Sequence, residues 1–592
     1  MTYVLRVAVE RPIYLPLSYR SDRKLRVGVR VKVPVGRSLA RGWVISLDNL
    51  EEEGLKPISG VVDQVPPLPS SFFKLAELIS QEYCYPLGLS LRMLFPYDYL
   101  SSFGEMGFKV DYPLFKKVVV GERKERIRLY RDLIASVLEK GGKVLLIVPQ
   151  VEELSYWVEE LSFKEKTFLW YAQMGRRERK LSWEVAKKDR EALFVGTSSA
   201  SFLPLRGLSL VIVEDEGNSY LRRVSKPYIH ARDAILLRSR IESYSMVFGG
   251  PVPSSEAYEL AVREGWELLN IPRRFKPTYK VIDLRKTKTK AFLSLSIFRK
   301  VKINSRSGRK SVLLLNRKAY ASYLKCEECG YVPECPNCGI PLAFYREEGK
   351  VRCSYCGYEL SVSDECPNCG GFSLRSGAPG VEQVELALRK ELGKVFRWDA
   401  ETREFDENAL VIVGTQRVLQ AKVMRNASLS CMVLADTLIY RSSYRGEEEA
   451  LRMIYSLADF SPSEIYVQTY IPAHPVFKVF KDDSWKDFLE NELTKRRELS
   501  YPPLSCVALV VAVGKSESLL RRKLDSVKDL FQDGEVEVLG PLKKGISGGK
   551  ISLSLLLKGE KGKVQREIWK FISEGRLKLT RNFYVIVDPP EV

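Results

Sequence analysis

Four Cys-x-x-Cys pairs carry the strongest chemical signal in the sequence: Cys326/Cys329, Cys335/Cys338, Cys353/Cys356 and Cys366/Cys369. A two-residue spacer lets both thiolates of a pair reach one tetrahedral ion, with loop amides turned toward sulfur. Glycine follows each pair directly (Gly330, Gly339, Gly357 and Gly370) and permits the tight turn of a metal knuckle. Eight thiolates make two closed four-cysteine sites. Such sites favour zinc held for structure rather than catalysis, with iron–sulfur ligation as the alternative. Spacing alone leaves open which pairs share an ion. Cys84, Cys431 and Cys506 lie outside the cluster; the last two sit in apolar runs and read as buried hydrophobes. With only two histidines, His230 and His474, a His-rich metal centre is excluded.

A second stretch bears on chemistry through what it lacks. VVVGERKERIRLYRDLI, Val118 to Ile134, is an apolar strand, a Gly and an amphipathic helix. A nucleotide-driven motor places its phosphate-cradling loop at such a junction. Here the loop positions read Glu-Arg-Lys-Glu-Arg, with no further Gly and no Lys-Thr pair.

Around these stretches, 592 residues are too many for one core and divide into several domains. The composition, 45% hydrophobic and 28% charged, is that of a globular protein. No apolar run reaches the ~18–20 residues of a membrane span. Arg6, Glu10 and Arg11 interrupt any signal-peptide core, so the expected location is cytoplasmic and nucleoid-associated. A net charge of +20 and a pI near 9.3 favour a polyanionic partner. Cysteine clustering in such a chain argues for metal rather than disulfides.

The first hundred residues alternate as short strands (YVLRVAVE, LRVGVRVKVPVG, RGWVISL) before a helical pattern near Phe72–Glu82. From about Val118 to Lys300 buried strands (KVLLIVPQ, ALFVGTSS, SLVIVEDE, YSMVFGG) alternate with helices, and the alternation resumes after the cysteines. Two consecutive α/β lobes follow from this. The last hundred residues read β-α-β-β-α-β, the ferredoxin-like split motif. The basic stretches 273–290 and 298–310 read as a linker and lobe entry that are either phosphate-facing or simply solvated.

The cysteine run, with Asn316-Arg317 before it, resembles the zinc-binding insertion of the PriA (primosomal protein N′) family of bacterial replication-restart helicases. The likeness extends to VPVGR and GWVISL in the first domain, to IHARDAILL and VIDLR, and to GTQ at 414–416. It continues through VQTYIPAHPVF, RRELSYPPL and VLGP. The resemblance implies nested metal sites: Cys326, Cys329, Cys366 and Cys369 in an outer one, and Cys335, Cys338, Cys353 and Cys356 in an inner one. It also implies a pocket for a DNA 3′ end in the first domain, carried over to Ser18, Tyr19 and Gly36. At Ser18 the family has an Asp, and a hydroxyl binds the 3′-hydroxyl less strongly than a carboxylate.

The departures concern the motor. Aligned on Tyr130, Arg126 stands at the family's phosphate-binding Lys and Ile127 at the hydroxyl that holds Mg²⁺. Glu122 and Glu125 would repel phosphate. The family's Asp-Glu-Glu-His box becomes Glu214-Asp215-Glu216-Gly217, read here as a solvated strand end, with metal binding as the alternative. A third motif becomes Gly249-Gly250-Pro251-Val252-Pro253, and the region due to supply an arginine finger reads SLADFSPS (456–463). About Ser101 to Lys117 there is no room for the family's winged-helix domain.

The expected fold is therefore multidomain α/β. An N-terminal 3′-end DNA-binding domain (1–105) is β-rich, and a first RecA-like, helicase-type lobe spans 106–300. A second lobe (301–325 and 370–480) carries the four-cysteine double-zinc insertion (326–369), and a ferredoxin-like α+β domain closes the chain (481–592). The resemblance implies a primosome protein that binds branched or single-stranded DNA at replication forks. It also implies primosome proteins, single-strand-binding protein and helicase-loading components as partners. Two Zn²⁺ are expected and ATP/Mg²⁺ is doubtful, so no catalytic or nucleotide-binding residue is assigned and the scaffold is not expected to be a working ATPase. The alternatives are an active, divergent 3′-5′ DNA helicase, and a zinc-ribbon nucleic-acid binder with no restart role.

Overall fold

The computed structural model describes residues 3–48, 54–107, 111–274, 276–315, 323–345, 348–376, 379–441, 443–460, 462–532, 534–547 and 549–589. The Asn316-Arg317 pair lies outside them. The chain forms two compact units. One comprises residues 1–117, 129–248 and 500–590; the other comprises 118–128, 249–499 and 591–592.

The first unit opens with a five-stranded antiparallel sheet, in the order Leu17–Ser21, Tyr3–Val9, Ser38–Asp48, Arg30–Val35, Gly60–Val61. Alternate residues point to one face, so Leu5, Val7 and Val9 meet Val29, Val31 and Val33 in a single apolar layer. Helix Ser70–Glu82 follows, burying Phe72, Leu75, Ala76 and Ile79 at helical spacing. Helix Leu87–Leu94 then packs so closely that a Cβ at Gly88 would lie 2.0 Å from the Val9 carbonyl oxygen. The unit's α/β part has parallel strands Leu208–Glu214, Lys143–Ile147, Ala192–Gly196 and Thr167–Trp170 in that order. The middle two are buried along their whole length, as strands covered on both faces must be.

The unit closes with a four-stranded antiparallel sheet, ordered Glu537–Ser547, Lys550–Glu560, Ser505–Gly514, Phe583–Val587. Two helices, Glu517–Leu530 and Lys563–Ser573, complete it. With strands numbered along the chain this order is 2-3-1-4, that of the ferredoxin-like fold.

The second unit is built on a six-stranded, all-parallel sheet: Thr278–Asp283, Glu464–Thr469, Ala427–Met432, Lys310–Leu314, Val411–Gly414 and Phe396–Trp398. Cys431 belongs to its core cluster, beside Val433 and Leu313. The cysteine-rich segment emerges from this lobe as small two- and three-stranded sheets. Among the described residues no helix is long and apolar enough to cross a membrane.

Candidate functional site

Each Cys-x-x-Cys pair folds as the same knuckle. The amide of the following glycine donates back to the carbonyl of the first cysteine: Gly330 to Cys326 at 2.9 Å, Gly339 to Cys335 at 2.9 Å, Gly357 to Cys353 at 3.2 Å and Gly370 to Cys366 at 2.8 Å. All four glycines hold positive φ, between 61° and 82°, where a side chain is strained. The first cysteine's own amide donates forward, as from Cys353 to the Tyr358 carbonyl at 2.8 Å. Amides also face sulfur: those of Tyr355 and Cys356 lie 3.3 and 3.5 Å from Cys353 Sγ.

The knuckles converge in two groups. Cys326, Cys329, Cys366 and Cys369 form one, and Cys335, Cys338, Cys353 and Cys356 the other, with the sulfurs of each within 4.8 Å of one another. Cys326 and Cys369 are 3.7 Å apart, Cys329 and Cys366 3.7 Å, and Cys335 and Cys356 3.5 Å. Four sulfurs on a tetrahedron with Zn–S of about 2.3 Å would stand about 3.8 Å apart. The donor set is all thiolate and closed, which fits Zn²⁺ and leaves no position for substrate. The module is seated on its own lobe. A Cβ at Gly330 would meet Ile471 Cγ2 at 2.6 Å and one at Gly339 would meet Leu499 Cδ1 at 2.8 Å; the Tyr440 hydroxyl donates to the Gly330 carbonyl at 3.3 Å.

At the strand–helix junction within Val118–Ile134 the helix N-terminus is capped by the protein itself. Gly121 is kept by packing, since a Cβ there would come within 2.9 Å of Ile271. Arg126, fully buried, donates through both terminal nitrogens to the Asp459 carboxylate, each at 2.9 Å, and to the Gly121 carbonyl. The same carboxylate accepts the Arg123 amide at 2.9 Å. Asp459 thus sits at the N-terminus of helix Arg123–Glu139, where exposed amides and the helix dipole would otherwise attract a phosphate. It follows the last residue of helix Gly446–Ala458, in the stretch where the resemblance sought an arginine finger.

The turn after Gly249-Gly250 is closed the same way. The Ser255 amide and hydroxyl donate to Glu448 at 3.2 and 2.7 Å, and buried Arg496 pairs with Glu448 and Glu492.

The acidic box departs from its sequence reading. Glu214 and Glu216 are buried, not solvated. Tyr130 donates to Glu214 at 2.8 Å, Arg232 pairs with Glu216 at 3.1 Å, and the Asn218 side chain donates to Asp215 at 2.6 Å. Burial is tolerable because each carboxylate has a donor. In the basic stretch 273–290, Arg273 is half-buried, its guanidinium over the rings of Tyr455 and Phe480.

In the first domain Tyr19 belongs to the apolar layer and donates its hydroxyl to the Pro34 carbonyl at 3.0 Å. That bond ties its strand to the one leading into the Gly36 turn. Gly36 holds φ +61° with open space where a Cβ would project, and Ser18 is half-buried opposite Arg6. Sequence reasoning missed Asp459; the signal was a lone acid in SLADFSPS, a region searched only for arginine.

Residues 6–96 match the family model described as the 3′ DNA-binding domain of PriA, and residues 335–360 that described as the PriA DNA helicase Cys-rich region domain. The Bacillus subtilis replication restart protein PriA is 28% identical over 420 residues, covering 66% of this chain and 52% of its own length. The Synechocystis protein of that name is 26% identical, with 72% and 56% covered. The chain therefore spans about half the length of these two relatives. The Rickettsia conorii one is 23% identical over 97% of both chains. Among solved structures, S. cerevisiae Dbp5 bound to RNA and ADP BeF3 is similar with a TM-score of 0.37 at 9% identity, covering 65% of this chain and 90% of that one. RecG bound to a three-way DNA junction gives 0.37 at 10%, covering 65% and 44%. Two modules of this chain match PriA models of their own, and the Rickettsia conorii protein parallels it almost from end to end, so the likeness to PriA runs along nearly the whole chain.

Proposed function

We propose that this protein acts in replication restart by binding branched or forked DNA and presenting a docking platform to other replication proteins, without ATP-driven unwinding. The carrying observation is the Asp459 carboxylate, which takes the anion position at helix Arg123–Glu139 and is held there by Arg126. A nucleotide phosphate would have to displace a buried, bidentate, charge-assisted pair, which is a strong form of hydrogen bonding. The Mg²⁺-binding acids are engaged by Tyr130, Arg232 and Asn218, and Ile127 offers no hydroxyl to a metal. These features support a scaffold that keeps the motor's shape and not its cycle.

In this reading DNA is recognised by the 3′ DNA-binding domain, with Ser18 and Gly36 at the strand end, and by a chain whose net charge of +20 releases counterions from phosphate. The eight cysteines hold two zinc ions that fix the shape of the insertion and take no part in a reaction. The surface so stiffened is offered to primosome proteins.

The test is hydrolysis and binding of ATP by zinc-replete protein with Mg²⁺ and a forked DNA. The expected result is tight fork binding, strongest when a 3′ end lies at the branch, with no DNA-stimulated phosphate release. Turnover that disappears in Asp215→Asn would overturn the motorless reading. Equal affinity for plain duplex and fork would overturn the restart reading.

A further inference from the structure

The first unit contains a cavity of roughly 370 Å³ that none of the motifs above accounts for. Its walls come from four places in the chain: the segment after the first strand, the turn joining the first two helices, the loop that carries Lys226, and the start of the last strand of the ferredoxin-like sheet. Three tyrosines line it, Tyr14, Tyr85 and Tyr584, together with Arg11, Lys226 and Arg581. Ser18, Tyr19 and Gly36 are not among its lining residues.

Its charge is unbalanced. The one acid in the wall, Glu10, is already satisfied by Arg92 at 2.8 Å, by Arg41 at 3.4 Å and by the Trp43 indole at 3.1 Å. Arg11 is spent on Ser38 and the Leu39 carbonyl. Lys226 and Arg581 have no carboxylate partner among the described residues. Lys226 is half-buried, and its ammonium lies 2.7 Å from the centroid of the Tyr584 ring. Burial of an ammonium without a counter-ion is costly, and it lowers the Lys226 pKa from 10.5 to about 8. Tyr14 is fixed from behind by an edge-on contact with Trp569, 6.0 Å between centroids, and the Trp569 indole donates to the Gln81 carbonyl.

Aromatic faces beside uncompensated cations, in a space that suits one small planar ligand, are the chemistry of an unpaired nucleotide. Bases stack on tyrosine without regard to sequence, and a phosphate supplies the missing anion. We propose that this cavity is a binding site for one unpaired nucleotide of a single DNA strand, its base against Tyr14, Tyr85 and Tyr584 and its phosphate between Lys226 and Arg581. The proposal rests on the DNA-binding reading above and adds a site to it.

The test uses the full chain with a fluorescein-labelled oligo-dT titrated at several salt concentrations. In Lys226→Gln/Arg581→Gln the affinity is expected to fall about tenfold, and the slope of log K against log salt by about 0.7, for one phosphate of a single strand left unneutralised. Tyr584→Leu, which removes a stacking face and no charge, is expected to weaken binding about tenfold with the slope unchanged. An oligo-dT carrying 5-iodouracil is expected to photo-cross-link on the wild-type chain to peptides containing Tyr14, Tyr85 or Tyr584, a readout independent of any variant's folding. Wild-type affinity and slope in all variants, with cross-links elsewhere, would overturn the site while fork binding by the wild type still stands. Competition by free dTMP as strong as by the strand would overturn the strand as its source. Failure of the wild type to bind either fork or oligo-dT would instead overturn the DNA-binding reading itself.

Discussion

Replacing Asp459 by asparagine gives the sharpest test of the buried pair that caps helix Arg123–Glu139. The carboxylate accepts three hydrogen bonds of 2.9 Å, two from Arg126 and one from the Arg123 amide. Asparagine keeps one acceptor oxygen but sets an amide N–H₂ against a guanidinium N–H and leaves the fully buried Arg126 without a counter-charge. Removing one partner of a buried pair costs about 3–5 kcal/mol. Asn retains some of the hydrogen bonding, so a loss of about 3 kcal/mol is expected. At about 1.4 kcal/mol per decade this is roughly a hundredfold. The assay is hydrogen-exchange mass spectrometry on peptides covering 118–128 and 446–460, where local opening is read directly. Protection should fall by that factor in both peptides together.

Arg126→Met/Asp459→Leu removes both charges and should recover much of the loss, giving a coupling of about 2 kcal/mol or more across the double-mutant cycle. Asp459→Gly should expose the Arg123 amide and the Arg126 guanidinium to an outside anion, so that millimolar pyrophosphate restores protection. A loss below about 1 kcal/mol in Asp459→Asn, or additive single and double effects, would refute the reasoning.

Three further outcomes are expected. Cys353→Ser breaks the inner cage alone, so elemental analysis should find about one zinc per chain in place of about two. Gly330→Ala places a methyl 2.6 Å from Ile471 Cγ2 at φ +82°; it should destabilise the cysteine module by about 1–3 kcal/mol, read as faster zinc loss to a chelator. Lys226 gives a pH dependence. With its pKa lowered from 10.5 to about 8, the folded chain binds fewer protons than the unfolded one between those values. Its unfavourable contribution is complete below pH 8 and fades as pH rises to 10.5. Urea unfolding should therefore show stability rising with pH more steeply in the wild type than in Lys226→Met across that window.

What the sequence reveals about this molecule follows the distance over which each feature is encoded. A knuckle needs only Cys-x-x-Cys-Gly, so all four were legible, and the 2-3-1-4 sheet follows from helices and strands with clean apolar periodicity. That Arg126 and Ile127 stand where the resemblance expects a Lys and a hydroxyl was equally plain. The replacement was not, because Asp459 lies on another helix and nothing local marks it as a partner for Arg126. Glu214 and Glu216 misled for the same reason: three acids ending a strand look solvated until Tyr130 and Arg232 are brought beside them. The tyrosine-lined cavity was beyond reach, since Tyr14, Tyr85 and Tyr584 come together only when the first and last domains of that unit pack.

The nested arrangement of the cysteine cages also biases the order of assembly. The inner cage closes the 21-residue separation of Cys335 and Cys356, and the outer one closes the 43-residue separation of Cys326 and Cys369. Doubling a loop raises its closure cost by about 0.6 kcal/mol, and closing the inner loop first shortens the free chain left for the outer. Closure entropy therefore favours loading from the centre outward. Depletion runs the other way, for Cys369 is exposed while three of the four inner cysteines are buried. The outer ion is the clasp that a chelator or oxidant meets first, and the inner ion keeps a folded seed on which the clasp can close again.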